Sequence, residues 1–117
     1  MFGMMGTQWR FTKAVRELVV IAEEQGFLRP EMREQSIKGI LEFSRDLKMA
    51  SSRLGADEQA MITMMVSAGS MGPLAFDDAV AWCRAYAKRH GVADATVDRC
   101  KEAADGLAKK IGIGTPT

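Results

Sequence analysis

Apolar residues recur along this chain at spacings of three and four, and nowhere alternate for long enough to make a convincing strand. That period puts them on one side of a helix. The first such stretch is residues 8–25, where Phe11, Val15, Leu18, Val19 and Ala22 share a face that Val20 and Ile21 widen. Thr7 suits its N-cap and Gly26 its stop. The second, residues 30–54, is the longest predicted helix. Pro30 fits its first position, Glu31 and Glu34 complement the positive helix start, and Gly55 ends it. Gly39 is a weak point inside it. Ile37, Ile40, Leu47 and Leu54, with Ser44 and Ser51 between them, follow heptad spacing. That seam fits a bundle helix approached closely by a neighbour, or a coiled coil with a second chain.

The third helix, residues 57–68, is apolar almost all round. Met61, Met64, Met65 and Ala68 obey the i, i+3, i+4, i+7 rule, and Ile62 and Val66 add a second side. Gly69, Gly72 and Pro73 predict a loop of about six residues. The fourth helix, residues 76–90, carries Phe76, Ala79, Val80, Cys83, Tyr86, Ala87 and His90 on a broad face flanked by Trp82. Its acids stand at the start and its bases at the end, each sign suited to the helix dipole. The fifth, residues 95–111, has the stripe Val97, Cys100, Ala104, Leu107, Ala108 and Ile111, with Asp94 as its cap. A four-residue connection makes helices four and five an antiparallel hairpin. The expected fold is all-α: a compact, irregular bundle of about five helices in one domain spanning residues 1–117. Residues 1–6 are expected as a flexible arm and residues 112–117 as a flexible tail.

Composition adds bounds. With 117 residues, of which 47% are hydrophobic and 7% aromatic, the chain can bury one core built mainly of aliphatic, Ala and Met side chains. Net charge is +1 and is spread evenly, so no basic face announces a polyanion partner. The longest early apolar run, residues 18–22, is too short for a signal peptide, and nothing approaches the length of a membrane span. A cytoplasmic, bacterial protein is the expectation.

Candidate chemistry is sparse. Cys83 and Cys100 each fall about 10 Å from the predicted hairpin turn, on faces that should meet. They read as two buried thiols, with a disulfide as the alternative in an exported protein. His90 is the only histidine, and its place before Gly91 suits a helix C-cap. Cys83 and His90, seven residues apart, stand about 10 Å apart along the helix, too far for a nucleophile and its base. No metal motif, phosphate loop or catalytic triad is present, and no cofactor is expected. A helix-turn-helix over helices three and four would put Asp77 and Asp78 against phosphates. Arg29, Arg33, Lys38, Arg45, Lys48 and Arg53, on or beside helix two, interleave with Glu31, Glu34, Glu42 and Asp46.

The methionines therefore carry the functional question. Met61, Met64 and Met65 either form the centre of the core or, with Met71 and the N-terminal Met1, Met4 and Met5, an adaptable surface that accepts a helix of another protein. The second reading makes this a non-enzymatic interaction module whose candidate partner surface is Met61, Met64, Met65 and Met71. The partner would be another protein or a second copy. The alternative is a nucleic-acid-associated regulator acting through helix two.

Overall fold

A computed structural model of the chain describes the backbone of residues 2–112 and the side chains of residues 8–112. Five α-helices follow one another: α1 (Phe2–Glu24), α2 (Arg33–Asp46), α3 (Ala56–Gly69), α4 (Pro73–His90) and α5 (Asp94–Ile111). There is no strand among the described residues. Short 3-10 turns at Pro30–Met32 and Met49–Ser51 flank α2. The fold is the all-α bundle that the periodicity predicts.

The bundle is organised around α3. Ten of its residues are buried, including Ala60, Met61, Ile62, Met65 and Val66, and it contacts each of the other four helices. A helix apolar on every side can be stable in water only when enclosed. Its polar residues are satisfied locally. Thr63 Oγ1 donates to the Gln59 carbonyl at 2.7 Å, and Gln59 Nε2 donates to the Leu54 carbonyl at 2.8 Å. Gly69 lets the next helix close tightly, because a Cβ there would lie 3.2 Å from the Phe76 ring.

The enclosing helices use the stripes read from sequence. α1 buries Val15, Leu18, Val19, Ile21 and Ala22, while Phe11 packs partly buried against them. α5 buries Val97, Cys100, Ala104 and Ala108, but Ile111 emerges from the core. α4 buries Ala79, Val80, Cys83, Tyr86 and Ala87 of its predicted face together with Trp82, whereas Phe76 is partly buried and His90 is exposed. The α4–α5 turn closes at Gly91, whose φ of 67° is left-handed, and the Val92 amide donates back to the Ala87 carbonyl at 2.9 Å. Arg84 spans the hairpin to Asp94 and Asp98, both at 2.7 Å.

Several boundaries differ from expectation. α1 begins at Phe2 rather than residue 8, so the stretch read as an arm continues the helix and Thr7 lies inside it. The long second helix is broken. α2 stops at Asp46, Lys48 takes a left-handed φ of 56°, and Met49 turns into the core. Ile37, Ile40 and Ser44 of the heptad seam are buried, but Ser51 and Leu54 fall outside the helix and are exposed. The loop before α4 is three residues, not six, because Pro73 starts the helix directly. Asp94 pairs with Arg84 instead of capping α5, whose N-cap is Ala93. In the predicted tail, Gly112 ends α5 in a left-handed turn, and residues 113–117 lie outside the described residues.

Two ion pairs clamp α2 to α1. Arg33 grips Glu23 at 2.6 and 2.8 Å, and Arg16 grips Glu34 at 2.8 and 3.1 Å. The Arg33 hydrogen bonds hold the Glu23 carboxyl below its ordinary range. Glu23 therefore contributes stability that is complete above the unfolded carboxylate value of roughly 4.3 and is lost as pH falls through the lower folded value. Urea unfolding of wild type and Glu23→Gln should differ most at neutral pH and converge in acid; a pH-independent gap would contradict the clamp. Met65→Ala should lower unfolding stability by about 2–5 kcal/mol. Met71→Ala should change it by no more than about 0.5 kcal/mol.

Candidate functional site

The structure separates the four methionines proposed as a surface. Met61 and Met65 are 0% exposed and Met64 is 4% exposed, so these three belong to the core. Packing α3 between α1, α4 and α5 leaves Met61 and Met65 no route to solvent. Met71, in the loop after α3, is 63% exposed. The expected four-residue partner surface is thus corrected to Met71 and the edge of Met64.

Those two residues line one groove of about 320 Å³. Val19 and Ala22 come from α1, Gly39 and Ile40 from α2, and Met64 and Ala68 from α3; Phe27, Leu28, Met71 and Trp82 form its ends. The groove exists because the facing surfaces of α2 and α3 are small. Ser36 and Gly39 lie one turn apart on α2, opposite Ser67 and Ala68, and a Cβ at Gly39 would meet nothing within 4 Å. Phe27 follows the Gly26 turn that ends α1 and stands edge-on to Trp82, with ring centroids 4.7 Å apart. On the other side of that aromatic pair lies a cleft lined by Gln25, Asp78, Ala81 and Ala85. Sequence reasoning missed Phe27, Gly39 and Trp82 as site residues. The available signal was Ser36 with Gly39, a bare patch at helical spacing, of which Gly39 alone was read, and only as a weak point in the helix.

The other candidate groups are engaged. Cys83 is buried and its Sγ lies 3.8 Å from the Met61 carbonyl. Burial pushes the Cys83 thiol upward, and charge on Cys100 would push it further. Burial pushes Cys100 up to about 11. Both cysteines are free thiols, and the hairpin brings them within electrostatic reach of one another. Such thiols carry little thiolate and are poor nucleophiles. His90 turns from Cys83 to Glu17 of α1, Nε2 to Oε2 2.7 Å, with its ring 4.4 Å from that of Tyr86. The Tyr86 hydroxyl donates to Asp57 at 2.6 Å, and burial together with that acceptor raises its pKa. The His90 contact ties α4 to α1, and the Tyr86 contact ties α4 to α3.

Of the basic positions around helix two, Arg33 is held by Glu23 and Arg29 lies 3.7 Å from Glu31. The break after Asp46 takes Lys48 and Arg53 off that helix. The short loop between α3 and α4 is compatible with a helix-turn-helix, but α3 is enclosed and α4 opens with exposed Leu74, Asp77 and Asp78. Among the described residues, no three His, Cys, Asp or Glu side chains are grouped to hold a metal ion. No helix among them is long and apolar enough to cross a membrane.

The chain matches no family model, no curated protein and no solved structure.

Native protein exposed to a small alkylating reagent at pH 8 should lose its two thiols slowly and together, at a rate that rises with urea. Rapid labelling of one cysteine without denaturant would contradict the buried, protonated state of both.

Proposed function

We propose that this chain is a small non-enzymatic interaction module that receives an apolar side chain of a protein partner in the groove between α2 and α3. The supporting observation is an open slot of about 320 Å³ whose lining is mainly apolar, with the 63% exposed Met71 at its rim. Core side chains in such a bundle normally interdigitate and leave few voids. A slot bounded by Ile40, Met64, Phe27 and Trp82 loses apolar contact area that a partner would restore. Met71 and Leu74, the latter 81% exposed, extend the apolar surface beside it. Methionine at both the floor and the rim suits a partner of variable shape.

The volume limits the guest. At the small end of the range for ligand pockets, it takes one or two large side chains rather than a whole helix face. An anchor residue seated in the slot, with the rest of the partner lying across the bundle, fits that size. The nucleic-acid alternative draws less support, because Arg33 of α2 is paired with Glu23 and the break after Asp46 takes Lys48 and Arg53 off that helix. Acyl transfer or redox chemistry at Cys83 draws none, since the thiol is enclosed and held protonated.

The test uses a photo-crosslinking residue in place of Met71 in the native host, with one in place of the remote, exposed Lys101 as control. A discrete protein adduct at position 71, missing at position 101 and abolished by Gly39→Leu, supports the groove. Adducts that are equal at both positions, or unchanged by Gly39→Leu, contradict it. Gly39→Leu projects into open space and removes a mid-helix glycine, so it should leave folding intact and raise stability by about 0.5–1 kcal/mol.

A further inference from the structure

A second apolar feature faces water on this chain, and it cannot meet the groove within one molecule. Trp9, in the first half of α1, is 63% exposed. The groove draws Val19 and Ala22 from the second half of the same helix. The helical rise holds Trp9 about 15 Å from Val19 along the axis, so Trp9 cannot reach the slot while α1 is intact.

The charge around Trp9 is one-sided. Residues 1–16 contain Arg10, Lys13 and Arg16 and no acid. Arg16 is taken by Glu34, whereas Arg10 and Lys13 are exposed, and Lys13 Nζ stands 5.0 Å from the centre of the Trp9 ring. The result is an aromatic knob flanked by two cations. The groove offers its complement: an apolar slot and, beyond Phe27 and Trp82, the cleft that holds exposed Asp78.

We infer that Trp9 of one copy seats in the groove of a second copy, with Arg10 and Lys13 of the first facing Asp78 of the second. This rests on the groove being a docking site and names its partner as the chain itself. Knob and slot lie on different parts of the surface, so two copies can exchange knobs about a two-fold axis, or copies can add head-to-tail with a free slot and a free knob at the ends. A single aromatic anchor is small beside the roughly 1,200–2,000 Å² of a standard stable interface, so the association is reversible and rises with concentration. An aromatic and cationic helix end also suits an anionic lipid surface. The slot and Asp78 favour the second copy, because a membrane would leave both unused.

Sedimentation equilibrium of the full chain over a wide concentration range tests the inference. The weight-average mass should climb beyond one chain. It should return to one chain for Trp9→Glu and for Gly39→Leu, each with wild-type circular dichroism. An equimolar mixture of these two variants should form a dimer and stop there, since one retains only the slot and the other only the knob. Asp78→Lys, at an exposed position, should weaken association without touching the packing. A wild-type chain that stays monomeric throughout overturns the inference, as does association that survives both variants. Flotation of a monomeric chain with phosphatidylserine vesicles would assign Trp9 to lipid instead. A monomeric chain that still gives the adduct at position 71, lost on Gly39→Leu, keeps the docking groove and removes only the second copy as its occupant.

Discussion

The rest of the structure depends on the need to enclose α3. Gln59 and Thr63 are the polar residues of its middle, and both turn their side chains onto nearby backbone carbonyls rather than toward solvent. No face of the helix is left that water could cover without exposing large apolar area. Each such side chain contributes about 1.5–3 kcal/mol when fully buried. The other four helices are arranged to supply that cover, so α3 touches all of them while α2 packs mainly on α1 and α3. Surface ties between the outer helices fix relative positions that the core has already set: Arg33 to Glu23, Arg84 to Asp94 and Asp98, His90 to Glu17. Exposed pairs of this kind contribute little by themselves.

The helices and their inward faces were legible because spacing alone determines which side chains can share a side. The stripes of α1, α4 and α5 became the core almost residue by residue, and the short turn at Gly91 made the hairpin. Cys83 and Cys100 are both buried, as their places on those inward stripes require. Spacing failed where helix continuity was assumed. The heptad seam counted residues through Lys48, yet the chain turns left-handed there to bury Met49, and Ser51 and Leu54 leave the seam. Gly3 and Gly6 lowered the expected helix propensity before residue 8, and α1 nevertheless starts at Phe2. Propensity is a weak prior against the cooperativity of a long helix.

The candidate site was the less legible part. A methionine cluster reads the same whether it is core or surface, and only the placement of α1 and α5 over α3 decides that Met61 and Met65 are interior. The groove is made by what is missing from α2 and α3 rather than by a motif. Ser36, Gly39, Ser67 and Ala68 are individually ordinary, and their juxtaposition requires knowing that the two helices face one another. Phe27 enters through the reverse turn at Gly26 and meets Trp82, a residue far along the chain. This kind of site, a packing defect bordered by aromatic and methionine side chains, leaves almost no signature in a linear sequence.

The central claim is that α3 is the enclosed axis on which the bundle depends. Native-state hydrogen exchange tests it most directly, because amides in the most deeply held element open only with the whole molecule. The account predicts that the amides from Met61 to Val66 exchange last, with an opening free energy equal to that of global unfolding measured by urea and with the same denaturant dependence. Exchange of those amides through a smaller, denaturant-insensitive opening, while α1 or α5 remained protected, would contradict it.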